Sequence, residues 1–146
     1  MSFEKILIAV DDSAESLKAA RSGFELAHRL KATIALVFVI DVGKEIVNPD
    51  LGMTPRESKA VLQQEAERTL AQFIRMFDGI GEVIRFMPEG VPEKEIVKIA
   101  AEWQADLIVM GTHGRRGLGR MLAGSVADHV IHHAGVPVLV MPPKME

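Results

Sequence analysis

Four unbroken apolar runs punctuate this chain: Ile6 to Val10 (ILIAV), Thr33 to Ile40 (TIALVFVI), Leu107 to Met110 (LIVM) and Pro137 to Met141 (PVLVM). A strand with one wet face alternates apolar and polar residues, whereas an unbroken run belongs to a strand buried on both faces. Such strands need helices on both sides of the sheet, and the intervening sequence has the period to supply them. Leu17, Ala20, Phe24, Ala27 and Leu30 recur at helical spacing, as do Leu62, Ala66, Leu70, Phe73 and Phe77, and then Ile96, Ile99, Ala100 and Trp103. A fourth helix is expected over Ser125 to Ala134, stopped by Gly135. Glu82 to Met87 reads as a further strand of mixed polarity, with Arg85 inside it, which fits a sheet edge. The expected order is β-α-β-α-β-α-β-α-β, an α/β chain with a parallel sheet wound on both faces.

Helix starts are legible too. Asp12 is placed to cap the first helix, with Glu15 three residues on completing a capping box. Thr54-Pro55-Arg56-Glu57 carries a cap, a proline at the first helical position and an acid at the third. The stretch from Val42 to Met53 is long for a βα connection and reads equally as a lid over a site or as a plain surface insertion.

Composition narrows the function classes. The 146 residues are one domain's worth, large enough for a core without disulfide or metal, and the whole of 1–146 is expected to be one domain. A net charge of −3 makes no global case for nucleic-acid binding. With no cysteine, thiol nucleophiles, disulfides and cysteine-ligated metals are excluded. No signal pattern at Met1-Ser2-Phe3-Glu4-Lys5 and no membrane-length apolar run lead to the expectation of a soluble, cytoplasmic protein.

The chemistry concentrates near the end of the chain. Gly111-Thr112-His113-Gly114 follows one apolar run directly, and nine residues later Gly124-Ser125 opens a helix. A strand that breaks into glycines and then a helix start is suited to phosphate. Glycines admit close approach of the oxyanions, and free N–H groups with the helix dipole stabilise them. On this reading Gly111 and Gly114 allow a tight turn, the amides of Gly124 and Ser125 and the Ser125 hydroxyl face the anion, and Arg115, Arg116 and Arg120 add cations. The plain alternative is a surface loop followed by Ser125 as an ordinary cap, with Asp128 completing its box. Asp11-Asp12-Ser13 ends the first strand, so a carboxylate would face the glycine loop if those two strands are neighbours.

These segments together resemble the universal stress protein family. Gly111, Gly114, Gly124 and Ser125 match the G-x-x-G-x(9)-G-[S/T] pattern of its nucleotide-binding branch. The ILIAVDDS start, the VFVID segment, the DLIVMGTHGR block and the closing GVPVLVM agree in order. The resemblance implies a five-stranded sheet of order 3-2-1-4-5, with Asp11 beside the glycine loop and near the ribose or the adenine. It implies a base pocket lined by Ala9 and Val39 and flanked by Met110. Gly111 and Gly114 would then meet ribose and phosphates, and Gly124, Ser125 and Val126 the phosphates. It further implies ATP, or AMP or ADP, as ligand, with or without Mg²⁺, a regulatory role in the stress response, and a homodimer formed through Val136 to Met141. A slow ATP hydrolase or phosphate-transferring enzyme is the alternative, and a nucleotide-independent interaction module the second. No residue stands out as a general base for water.

Other readings fit less of the chain. A receiver-domain acid pair at Asp11-Asp12 would need an Asp after the third strand, where Met87-Pro88-Glu89 stands. The dinucleotide and P-loop glycine patterns are absent. His129, His132 and His133 read as solvated residues near a helix C-terminus rather than as a zinc site.

Overall fold

Lys5–Ala9 forms the first strand, β1, at the centre of a five-stranded sheet. The computed structural model describes residues 2–41, 55–77, 81–112 and 124–142. Along the chain follow α1 (Ala14–Leu30), β2 (Thr33–Val37), α2 (Pro55–Arg75) and β3 (Val83–Phe86). Then come α3 (Pro92–Trp103), β4 (Leu107–Gly111), α4 (Ser125–His133) and β5 (Val138–Met141). The strand order is β3-β2-β1-β4-β5 and every ladder is parallel, as the sequence led one to expect.

Each face of the sheet is sealed by two helices. Ile6, Ile8 and Val10 pack with Ala20, Phe24 and Ala27 of α1 and with Ala66, Leu70 and Phe73 of α2. Leu7, Ala9 and Met110 point the other way, into a cluster with Ile96 and Ala100 of α3 and Ala127 and Val130 of α4. The alternation of side chains along a strand makes this division inevitable once both faces are covered. β3 lies at an edge, which suits its polar residues, and β5 forms the opposite edge. Gly23 lets α1 lie close on the sheet, since a Cβ there would stand 2.6 Å from Ile8 Cδ1.

Three local expectations are corrected. The cap of α1 is Ser13, whose hydroxyl accepts from the Ser16 amide, so Asp12 and Glu15 do not form the expected box. Leu30 falls off the buried stripe and is 43% exposed. It sits in the last turn, where Lys31 already adopts a left-handed conformation (φ 56°) that ends the helix. β2 ends at Val37 rather than Ile40. Beyond it Phe38 and Ile40 still donate to the carbonyls of Phe86 and Pro88, and Ile40 and Glu89 form an isolated parallel bridge. The sheet edge thus continues as alternate hydrogen bonds after the regular ladder stops.

Candidate functional site

The register Ile8↔Val109 puts the exits of β1 and β4 side by side at the centre of the sheet. The chain leaves β1 towards β2 and β4 towards β5, so these exits flank the point where strand order reverses, the habitual ligand crevice of open α/β sheets. Asp11 stands at one exit. Its Oδ1 accepts from the Ser13 amide (2.8 Å) and from the Ser16 hydroxyl (2.8 Å), and its own N–H donates to Ser16 Oγ (2.7 Å). Ser16 is buried and Asp11 half-buried, so the carboxylate is held in one orientation by short, water-shielded bonds.

At the other exit the chain is clasped. The Thr112 amide and hydroxyl both donate to the carbonyl of Met141, at 3.0 and 3.2 Å, joining the end of β4 to the end of β5. The Gly124 amide donates to the Thr112 carbonyl at 2.6 Å, so the start of α4 is tied directly to the end of β4. Thr112 was not singled out by sequence; its role rests on two contacts distant in the chain, and only a hydroxyl placed directly after a strand hinted at it.

Gly124, and not Ser125, is the cap of α4, and among the described residues no side-chain cap bond closes this helix. The first intrahelical bond runs from the Asp128 amide to the Gly124 carbonyl. Ser125, Val126 and Ala127 therefore carry amides with no acceptor inside the helix. The expectation for the glycine pair is corrected accordingly. The Gly124 amide is committed to Thr112, and the donors that α4 can offer an anion begin at Ser125.

Gly111 also has a different reason to be glycine. It is the last residue of β4, pairs with Met141 and makes no tight turn. A Cβ there would lie 3.1 Å from Glu15 Cβ and 3.4 Å from the Glu15 carbonyl oxygen, so its bareness lets the first turn of α1 approach β4.

Ala9, Val39, Met110 and Val126 all belong to one apolar cluster on the α3/α4 face. They come from the C-terminal ends of β1 and β4, from the stretch just beyond β2 and from the first turn of α4, all at one end of the parallel strands. Asp11, Gly111, Gly124 and Ser125 border them. Gly114 and Arg115, like Arg116, Arg120 and His113, lie outside the described residues, as does the segment from Val42 to Met53. On α4, His129 and His133 stack at 4.0 Å, and His132 Nδ1 lies 3.6 Å from Asp128 Oδ1. His132 thus has a carboxylate neighbour the sequence reading did not supply, although both side chains are exposed. Among the described residues no helix is long and apolar enough to cross a membrane.

The fold is that of an α/β protein of the doubly wound class. The model of the universal stress protein family matches residues 2–142, and the chain belongs to that family. Universal stress protein MJ0531 of Methanocaldococcus jannaschii is 40% identical over 146 residues, covering 99% of this chain and 85% of the relative. Universal stress protein MJ0577 of the same organism is 31% identical, covering 97% of this chain and 96% of the relative. The solved structure of MJ0577 superposes with a TM-score of 0.84, at 29% identity over the full length of both chains. The Archaeoglobus fulgidus universal stress protein in complex with dAMP superposes with a TM-score of 0.67, at 25% identity, covering 96% of this chain and 98% of that one.

Proposed function

We propose that this protein binds an adenine nucleotide (ATP, or AMP or ADP, with or without Mg²⁺) at the crevice between the exits of β1 and β4, and acts as a cytoplasmic regulatory protein of the stress response. In this reading residues 1–146 form one universal stress protein domain of the ATP-binding branch. The observation that carries it is the uncapped start of α4 standing beside the apolar cluster of Ala9, Val39, Met110 and Val126. An apolar floor suits a purine, and helix-start amides with no acceptor inside the helix suit its phosphates. Asp11, oriented by Ser13 and Ser16, is the acceptor for the ribose hydroxyls. In this reading Gly111 and Gly114 meet the ribose and phosphates, and Arg115, which like Gly114 lies between Thr112 and Gly124 in the sequence, adds a cation for the phosphates. That a family member was solved with dAMP supports an adenine ligand.

Among the described residues the candidate site offers groups that bind and orient, which favours regulation by occupancy over efficient hydrolysis. Titration calorimetry with ATP and AMP, with and without Mg²⁺, tests the reading, together with mass spectrometry of any nucleotide that copurifies. No measurable heat with either nucleotide would refute it.

The same reading includes a homodimer through Val136 to Met141. β5 is an edge strand, and an exposed strand edge is a template for pairing. Leu139 on it is 39% exposed, and Ile131 on α4 is 47% exposed. Analytical ultracentrifugation of the Leu139→Lys variant should show monomer where the parent shows dimer; a monomeric parent would refute the assignment.

A further inference from the structure

Glu93 occupies an unusual place for a carboxylate. It is partly buried in the first turn of α3, three residues before Ile96 and seven before Ala100, the two buried residues of that helix. At helical spacing this puts it on the sheet-facing stripe, one turn above Ile96. Its Oε2 is sealed from solvent and has no hydrogen-bond partner among the described residues. A buried acceptor left unmade is costly, and more so when charged, so an orphan of this kind needs a reason. The helix start favours a negative charge there but supplies this oxygen with no bond.

The surrounding backbone shows which ligand edge it can serve. Ile40 donates to the Pro88 carbonyl, and Gly90 donates to the Ile40 carbonyl. The segment that leads into α3 is thereby bonded to the continuation of β2 that carries Val39. Val39 and Ile96 share the α3/α4 cluster with Ala9 and Met110. The first turn of α3, and Glu93 with it, thus lies beside the stretch that carries Val39, at the same end of the sheet as Ala9 and Met110.

We propose that Glu93 is a specificity residue whose Oε2 accepts a hydrogen bond from the exocyclic amino group of the purine. This rests on the nucleotide reading above and deepens it, because it makes the site select adenine over purines without that donor. An acceptor that is otherwise unpaired discriminates strongly, since a ligand lacking the donor leaves it buried and unmade.

The test compares ATP with purine riboside triphosphate, which lacks the amino group, by titration calorimetry on the full chain. The parent should prefer ATP by about tenfold, within the range expected when a buried acceptor is left unmade. Glu93→Gln, which keeps an acceptor oxygen, should retain most of that preference, and Glu93→Leu should reduce it to less than about twofold. Equal affinities in the parent would overturn the proposal without needing any variant to fold. An undiminished preference in Glu93→Leu would overturn it as well. If the parent binds neither nucleotide, the nucleotide reading itself fails, an outcome distinct from binding without discrimination.

Discussion

Two helices begin at the same edge of the sheet and begin differently. α1 is closed by its own sequence: Ser13 caps it, and Ser16 and Asp11 exchange short hydrogen bonds beneath the cap. α4 starts at a glycine with no side-chain cap, and its first amides have no acceptor in the helix. The first arrangement spends its polar groups on fixing one carboxylate, and the second leaves donors for something outside the helix. On the nucleotide reading, the contrast separates a part of the site that is fixed before ligand arrives from a part that ligand would complete.

The largest expected effect comes from making α4 resemble α1. Gly124 has φ −64° and ψ 165°, a conformation open to any residue, so Gly124→Asp can cap the helix without strain. The new carboxylate would take the amides that an anion needs and repel it. The loss should reach about 2 kcal/mol, or about thirtyfold in ATP affinity, while the melting temperature stays level or rises slightly. Calorimetry and thermal melts on one sample check both halves. An unchanged affinity would place the phosphates elsewhere.

The converse change loosens α1. Ser16 is 5% exposed and serves Asp11 as both donor and acceptor. Ser16→Ala orphans the Asp11 amide and one bond to its carboxylate, which should cost ~1–3 kcal/mol in urea unfolding. Nucleotide affinity should fall as well, by less than in Gly124→Asp, because Asp11 loses its fixed orientation. A full stability loss with unchanged affinity would make this network purely structural.

How far these features were legible follows from how local they are. The strands could be read because unbroken apolar runs have one meaning in a parallel sheet, and β3 was placed at an edge because Arg85 would be costly inside. The cap of α1 was misassigned because Asp12 and Ser13 cap about equally well. What decides between them is the Asp11–Ser16 pair, which is spaced across the turn and not patterned. Leu30 has the right spacing for the core but is the last residue of α1, where the left-handed Lys31 turns the chain away. Gly111 was expected to allow a tight turn and instead ends β4, where its missing side chain makes room for Glu15, a contact between residues far apart in the chain. The Thr112–Gly124 bond and the orphan oxygen of Glu93 are of the same kind, set by tertiary placement and silent in any window of sequence.

A smaller effect distinguishes the two cap candidates directly. Ser13→Ala should destabilise the protein by about 1 kcal/mol, the usual loss for a side-chain cap, whereas Asp12→Ala leaves the Ser13 cap in place and should cost less. Equal losses in chemical denaturation would return Asp12 to a role in the first turn. ATP affinity should change little in either variant, since neither side chain is assigned to the ligand.

The smallest effect probes the clasp that brings α4 to β4. Thr112→Val keeps both backbone bonds, the amide to the Met141 carbonyl and the carbonyl to the Gly124 amide, and removes only the hydroxyl bond at 3.2 Å. The Met141 carbonyl keeps a donor, so no group is orphaned, and stability should fall by only ~0.5 kcal/mol. ATP affinity should stay within about twofold of the parent, because the clasp is made by backbone and the open amides of α4 remain where they are. A larger loss of affinity in a variant that melts normally would mean that the hydroxyl itself meets the ligand. That result would move the boundary between the closed and the open part of the site from Gly124 back to the end of β4.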